Sequence, residues 1–145
     1  MNFGKETETL EFKKSTSEIK VAMISIASIL NKHGIGTLYF GVKNNGDVVG
    51  QNVSESSLRD VSRAVYESIQ PQIYPAIDEV VIDGKQLIKV EFSGDSKPYS
   101  AAGKYYLRTA DEDREVSPDE LKNFFEANKY RTKWENEKSD ALSKQ

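Results

Sequence analysis

The sequence predicts an α+β fold, a single domain in which a mostly antiparallel or mixed sheet with two β-hairpins is covered by about three helices. Three observations support this fold class. Apolar residues recur at helical spacing in some segments and alternate with polar residues, as in strands, in others. Asn-Gly and Asp-Gly pairs between strand segments are typical of tight hairpin turns. A length of 145 residues suits one domain with a substantial core.

The N-terminal segment predicts a strand followed by an amphipathic helix. In KETETLEFKK, Leu10 and Phe12 alternate with charged residues, as in a strand with one face on the core. The next segment, STSEIKVAMISIASILNKHG, has a capping-box spacing at Ser15 and Glu18 and a natural helix end at Gly34. Its apolar stripe consists of Ile19, Ala22, Met23, Ile26, Ile29 and Leu30.

The middle of the chain predicts a hairpin and a second helix. GTLYFGVKNNGDVVG predicts a strand, a turn at Asn45-Gly46 and a second short strand, because Asn-Gly suits the positive φ angles of a tight turn. In VSESSLRDVSRAVYESIQP a helix begins after the cap residue Ser54 and ends at or near Pro71. The apolar positions of this helix are Leu58, Val61, Val65 and Ile69.

The C-terminal part predicts a second hairpin, a short strand and a third helix. IDEVVIDGKQLIKVEF turns at Asp83-Gly84, and KYYLRT forms the short strand. VSPDEL is typical of a helix start, with Ser117 as N-cap, Pro118 at the first helical position and Glu120 completing a capping box.

Patterning divides the chain into a domain over residues 1–128 and a charged helical extension or flexible tail over residues 129–145. We expect the third helix to reach at least Tyr130. The single tryptophan, Trp134, lies in this tail, where it could dock a partner or fold back on the domain. The sequence leaves both roles open.

Composition excludes several classes of protein and site. The chain has no cysteine and one histidine, so disulfides, thiolate sites and His-based zinc sites are excluded, and any metal must have oxygen ligands. No run approaches the about 20 apolar residues of a membrane helix, and the N-terminus has no secretion signal. We therefore expect a cytoplasmic protein with no membrane partner. The net charge of −3 argues against a wholly basic nucleic-acid binder.

One local segment is basic and aromatic. KPYSAAGKYYLR contains Lys97, Lys104 and Arg108, together with three tyrosines and no acid. Cations attract phosphate, and exposed tyrosines stack on unpaired bases. We expect Lys104 and Arg108 to contact a nucleic-acid backbone together with Lys97, and Tyr99 to be a weaker candidate. One of the two strand tyrosines that follow is expected to belong to the core.

The order of four segments resembles a known family. ETETLEFK, LNKHGIGTLYFGVKNNGDVVG, IQPQIYP and PYSAAGKYYLRTA together resemble the Schlafen-type AlbA-like DNA-binding domain family over residues 5–127. The resemblance implies an α+β nucleic-acid-binding domain, usually joined to other domains. Vertebrate Schlafen cores also cleave structured RNA such as transfer RNA, with two glutamates and an aspartate that bind a divalent cation.

The resemblance maps two of these three carboxylates onto the chain. Glu6 and Glu11 occupy the glutamate positions, and Asn44 stands where the family has its aspartate. Mg²⁺ or Mn²⁺ prefers charged oxygen ligands, so an asparagine weakens such a site unless Asp47, one turn further on, substitutes for it. The resemblance thus implies Glu6 and Glu11 as catalytic residues, with Asn44 or Asp47 completing a metal site.

Each of these residues also has a purely structural explanation. Glu6 and Glu11 are five residues apart, so they point to opposite faces of an unbroken strand and converge only if the chain bends. Glutamates at a strand start are commonly solvated charges. Lys13 and Lys14 can neutralise phosphate, or can protect a sheet edge.

The leading hypothesis is a nucleic-acid-binding domain with a regulatory role such as transcriptional control. It would bind through residues 97–108, the lysines at positions 13 and 14, and the glycine-rich residues 34–50. One alternative is a divalent-metal-dependent endoribonuclease that acts on structured RNA. Another is a protein-interaction or self-association module, including a homodimer. The choice between DNA and RNA stays open.

Overall fold

The computed structural model describes residues 1–127, and its fold is the predicted α+β domain. The strands are β1 (Leu10–Lys13), β2 (Ile35–Phe40), β3 (Ile69–Gln70), β4 (Ala76–Ile82), β5 (Lys85–Ser93), β6 (Ser100–Ala101), β7 (Lys104–Thr109) and β8 (Glu112–Glu115). The helices are α1 (Ile19–His33), α2 (Glu55–Ser68) and α3, which is described over residues 118–127. The predicted tail, with Tyr130 and Trp134, lies outside the described residues.

The strands form two four-stranded sheets. The first has the order β1-β2-β5-β4, in which β1 and β2 are parallel and the other neighbours are antiparallel. The second has the order β3-β6-β7-β8 and is antiparallel throughout. Helix α1 connects β1 to β2 and contacts β2 of the first sheet and both β6 and β7 of the second. The mostly antiparallel, mixed character of the fold is therefore confirmed.

Helix α1 is buried on more sides than its apolar stripe predicts. The stripe lies in the main core with residues of β2, β5 and α2. The polar residues Ser25, Ser28 and Asn31 are also buried, because they face the second sheet. Ser25 Oγ donates to Asp113 Oδ2 at 2.6 Å, and Ser28 donates to the same carboxylate. Hydrogen bonds to strand residues thus replace water on this side of the helix.

The helix termini follow the predicted signals with one change. A 3₁₀ turn, Thr16–Glu18, precedes α1; Ser15 Oγ accepts from Ser17 N–H, and Glu18 accepts from Lys14 N–H. The predicted Ser15–Glu18 box is therefore replaced by two separate caps. Helix α1 ends with Gly34 at a φ of 73°, as predicted.

The cap predictions for the other two helices are confirmed. Ser54 caps α2 and exchanges hydrogen bonds with Ser57, which completes a capping box. Ser117 and Glu120 form the predicted box at the start of α3.

The two predicted hairpins have different outcomes. The β4–β5 hairpin is confirmed, with positive φ at both Asp83 (54°) and Gly84 (73°). After β2, only Gly46 of the Asn45-Gly46 pair has positive φ, and a single bridge between Val42 and Val48 stands in for the predicted second strand. That strand prediction is wrong: Val48 N–H bonds to Met1 O, and the N–H groups of Val49 and Gly50 both donate to Gly41 O, so no regular ladder forms.

A second apolar cluster lies on the face of the first sheet opposite α1. It contains Phe12, Val42, Val48 and Leu87, all buried. The ring of Phe3 stacks on Phe12 with a centroid distance of 5.9 Å, so the N-terminal segment covers this face. Both faces of the first sheet are therefore packed. No helix among residues 1–127 has the length and apolar character needed to cross a bilayer.

Candidate functional site

A turn before β1 brings Glu6 beside Glu11. Thr7 N–H donates to Leu10 O at 3.0 Å, and Thr9 N–H donates to Thr7 Oγ1 at 3.2 Å. The chain therefore bends between the two glutamates, which is the condition that their five-residue spacing requires. Glu6 is half-buried, and Glu11 on β1 is only 3% exposed.

The Glu11 carboxylate is enclosed by two cations. Lys13 Nζ donates to Glu11 Oε1 at 3.2 Å, and Arg108 Nη1 lies 2.7 Å from Glu11 Oε2. The N–H of Arg108 is not directed at that oxygen, so the contact is an ion pair, and Oε2 has no hydrogen-bond partner among the described residues. Arg108 Nη1 also donates to Asp113 Oδ1 on β8 at 2.8 Å. One arginine thus joins β7, β1 and β8.

The protonation of this cluster follows from burial and charge. Burial, a shared hydrogen bond with Glu11 and the negative charge of Glu11 raise the pKa of Glu6 to about 8, despite the opposing charges of Lys13 and Arg108. Burial of the Arg108 guanidinium lowers its pKa, but the hydrogen bond to Asp113 and the charges of Glu11 and Asp113 outweigh burial and raise it. At neutral pH Glu6 is mostly protonated and donates to the Glu11 carboxylate.

The divalent cation implied by the family resemblance does not fit these residues. Lys13 and Arg108 already contact the buried Glu11 carboxylate and compensate the charge that would otherwise attract a hard metal. The carboxylate of Asp47 lies elsewhere: it is exposed and accepts from Asn2 Nδ2 at 2.6 Å and from Asn45 Nδ2 at 3.2 Å. Within residues 1–127, no three His, Cys, Asp or Glu side chains are placed to hold a metal. Asn44 is exposed.

Three of the six predicted nucleic-acid contacts are accessible. Lys14, Lys97 and Lys104 are exposed, and their side chains have no hydrogen-bond or ion-pair partner within the described part of the chain. They lie at the end of β1, before β6 and at the start of β7. Lys13, by contrast, is 9% exposed and is bound to Glu11.

The structure places Tyr99 and Arg108 in the interior. Tyr99 is 2% exposed, and its hydroxyl accepts from Ser96 N–H at 2.9 Å. Arg108 is 0% exposed. Stacking by Tyr99 and phosphate contacts by Arg108, both expected above, are therefore incompatible with these positions. No pattern in KYYLRT distinguishes an inward arginine, because its partner Asp113 is joined to it only by the pairing of β7 with β8.

Two features of the surface were missed by sequence reasoning. Tyr74 is 91% exposed and lines a cleft of about 310 Å³ with Ile35 and Thr37. A neighbouring cleft of about 360 Å³ is lined by Lys32, His33 and Lys97. The two clefts lie next to each other, because Gly34 and Gly94 of this cleft directly adjoin Ile35 and Ser93 of the Tyr74 cleft in the chain. Tyr74 lies between β3 and β4, where no periodicity of apolar residues indicates which side chains face solvent.

Comparisons with known proteins give a family and a fold. A family model described as Schlafen, AlbA_2 matches residues 6–117. No curated protein matches the sequence. Among solved structures, the DIP2311 protein of Corynebacterium diphtheriae is similar with a TM-score of 0.62 and 14% identity; the match covers 75% of this chain and 25% of that one. This chain thus spans about a quarter of that protein.

A second solved structure is similar over most of both chains. It is the N-terminal domain of a Nitrosomonas europaea protein named as related to the ATP-dependent DNA helicase RecG. The TM-score is 0.51 and the identity 21%, and the match covers 77% of this chain and 79% of that domain. At this identity the similarity concerns the fold.

Proposed function

This chain belongs to the Schlafen, AlbA_2 family, and from that premise we propose that it is a nucleic-acid-binding domain whose phosphate contacts are Lys14, Lys97 and Lys104. The observation that carries the proposal is that these three lysines are exposed and have no side-chain partner among residues 1–127. An unpaired surface ammonium group loses no intramolecular ion pair when it binds phosphate, and it releases counterions from the nucleic acid.

Tyr74 supplies the aromatic contact in this proposal. Its ring is exposed, and no other aromatic ring within the described residues packs against it. Because its cleft adjoins the cleft that Lys97 lines, one strand could place an unpaired base on Tyr74 and a phosphate at Lys97. Stacking on a tyrosine contributes about 1–3 kcal/mol per base. Tyr74 thereby takes the role that the sequence suggested for the buried Tyr99.

The proposal also covers the class of partner and the biological role of the domain. The solved neighbour from Nitrosomonas europaea is named for its relation to a DNA helicase, which is consistent with nucleic acid as the partner class. We extend the proposal to a regulatory role in the cytoplasm, transcriptional control included. The comparisons give no support for a homodimer.

Charge reversal tests the lysines. Fluorescence anisotropy with labelled single-stranded DNA, single-stranded RNA, duplex DNA and folded RNA at low salt measures the affinity of the wild type. We expect Lys14→Glu/Lys97→Glu/Lys104→Glu to weaken binding by at least about tenfold, because repulsion replaces attraction to phosphate. A wild type that binds none of the four probes contradicts the proposed function.

A matched triple variant controls for the change in net charge. Lys20, Arg59 and Lys122 are also exposed, and their side chains form no hydrogen bond or ion pair among the described residues. Lys20→Glu/Arg59→Glu/Lys122→Glu changes the net charge equally and should retain most of the affinity. For the aromatic contact, Tyr74→Ala should weaken single-strand binding, whereas Tyr66→Ala, at a 67% exposed tyrosine of α2, should not. Equal losses within either pair would remove the assigned residues from the interface.

A further inference from the structure

The contacts of Arg108 have the form of a cation site lined by oxygen. Nη1 lies 2.7 Å from Glu11 Oε2 and 2.8 Å from Asp113 Oδ1. Nη2 donates to Thr7 O at 2.8 Å and reaches Leu10 O at 3.4 Å. The four partners are thus two carboxylates and two backbone carbonyls, which are the ligand types that hard divalent cations prefer.

Hydrogen bonds join Arg108 to Asp113 and to the Thr7 carbonyl, whereas charge alone holds it against Glu11 Oε2. Arg108 is 0% exposed, and within the described residues neither its Nε nor Glu11 Oε2 has a hydrogen-bond partner. Buried carboxylates without a nearby cation are strongly unfavourable. The guanidinium therefore supplies, inside the fold, the positive charge that Glu11 and Asp113 require.

Asp113 provides the carboxylate that is missing at Asn44. It is held from a second side, because Ser25 and Ser28 of α1 donate to its two oxygens. It belongs to β8, far in sequence from the asparagine, and reaches the cluster through its pairing with Arg108 across β7 and β8. Two carboxylates and a shared arginine thus meet where the resemblance implied two glutamates, a third ligand and a metal.

We propose that Arg108 is a built-in cation that takes the place of a divalent metal at the Glu6–Glu11 pair and excludes metal from it. The cluster then fixes the N-terminal segment to both sheets, since Arg108 binds the Thr7 carbonyl, Glu11 of β1 and Asp113 of β8. The pair serves architecture in this chain, and no metal-dependent cleavage of nucleic acid takes place there. This inference stands independently of the nucleic-acid proposal.

The first test measures Mn²⁺ binding to the wild type by titration calorimetry and by the shift in Tm. We expect no binding at the glutamate pair, so that wild type and Glu6→Gln behave alike. The glutamine retains the size of the side chain and its hydrogen bond to Glu11 while removing a possible metal ligand. A wild type that binds Mn²⁺ with an affinity lost in Glu6→Gln overturns the proposal.

The second test removes the arginine. Arg108→Ala should lower Tm in the absence of metal, and Mn²⁺ should restore several degrees of it, because the cation can enter the space between Glu11 and Asp113. The matched control is Arg114→Ala, the next arginine along the chain, whose guanidinium pairs with Glu120 at the surface. Its Tm should not respond to Mn²⁺. A folded Arg108→Ala that is insensitive to Mn²⁺ contradicts the inference.

If Arg108→Ala is unfolded in the absence of metal, a refolding experiment provides the test. The denatured variant is diluted into buffer with and without Mn²⁺, and circular dichroism reports the recovered structure. Recovery with Mn²⁺ alone supports a metal in the place of the guanidinium. Equal failure in both buffers counts against it, because the carboxylates then do not accept the substitute cation.

Discussion

At the scale of single residues, Glu6 shows how position within the fold changes chemistry. An exposed glutamate at a strand start would be ionised at neutral pH, yet burial beside Glu11 raises the pKa of Glu6 to about 8 from 4.5. The residue that the resemblance marks as a metal ligand is therefore a hydrogen-bond donor in this protein. Tyr99 and Arg108 show the same principle, since both have the chemistry of a nucleic-acid contact and neither reaches the surface.

The raised pKa of Glu6 predicts a dependence of stability on pH. Between pH 4.5 and about 8 the folded state holds a proton at Glu6 that the unfolded state has released, so this group's stabilisation falls as pH rises through that window and is level above it. Thermal unfolding of wild type and Glu6→Gln should show Tm of the wild type declining relative to the variant across the window. A constant difference in Tm would contradict the raised pKa.

The buried ring of Tyr99 leaves no room for a side chain at Gly94. A Cβ at this position would lie 2.2 Å from Tyr99 Oη and 2.8 Å from Cζ. We expect Gly94→Ala to destabilise the fold by about 1–3 kcal/mol, because the buried ring has little room to move. Urea unfolding of Gly94→Ala in the wild type and in Tyr99→Phe measures the effect. The penalty should be smaller in Tyr99→Phe, which lacks the closest atom, and equal penalties would refute this explanation.

At the scale of elements, α1 is an amphipathic helix whose polar side is also buried. Periodicity correctly identifies the apolar stripe and Gly34 as the end of the helix. The buried Ser25, Ser28 and Asn31 look like a solvent-exposed face in sequence, because polar residues carry the same pattern whether water or strand atoms satisfy them. The strands β6 to β8, which cover this side, lie more than 60 residues away in sequence: Asn31 bonds to Tyr99 at a separation of 68 residues and to Tyr106 at 75.

At this scale we predict that replacing Asn31 lowers the free energy of unfolding. Its Nδ2 donates to Tyr99 O at 2.9 Å and to Tyr106 O at 2.7 Å, and its Oδ1 accepts from Tyr99 N–H at 2.6 Å. Asn31→Ala leaves three backbone groups unpaired, two on Tyr99 and one on Tyr106, so we expect a loss of about 3 kcal/mol or more in the free energy of unfolding. Urea denaturation measures it, with Lys20→Ala at an exposed position of α1 as the control. A loss equal to that of the control would show that water replaces the asparagine.

At the scale of the whole molecule, a net charge of −3 limits how the domain can bind nucleic acid. Without an overall positive field, attraction must come from local groups such as Lys14, Lys97 and Lys104, while acidic surface elsewhere keeps other faces away from phosphate. Arg108 adds nothing to the surface field, because its charge is internal and is balanced by Glu11 and Asp113. Binding should therefore be moderate in strength and sensitive to salt.

Salt titration tests whether binding depends on these local contacts with phosphate. Each phosphate contact contributes about 0.7–0.9 to the slope of log affinity against log salt, so the three lysines predict a slope of about −2 to −3. Replacing one of them by alanine should reduce the magnitude of the slope by about 0.7–0.9. Anisotropy measured across a salt series provides the slope. Binding that does not change with salt would show that phosphate contacts are not its basis.

The sequence alone determined the fold class, the apolar stripe of α1, the caps of α2 and α3 and the β4–β5 turn. These features depend on neighbours within a few residues, where periodicity and turn chemistry act directly. It also singled out Glu6 and Glu11 together, through the family resemblance. Only the tertiary structure decided what surrounds them, because Arg108 and Asp113 arrive from strands about a hundred residues away. Long-range contacts thus placed a guanidinium at Glu11 and buried Tyr99 against Asn31 of α1.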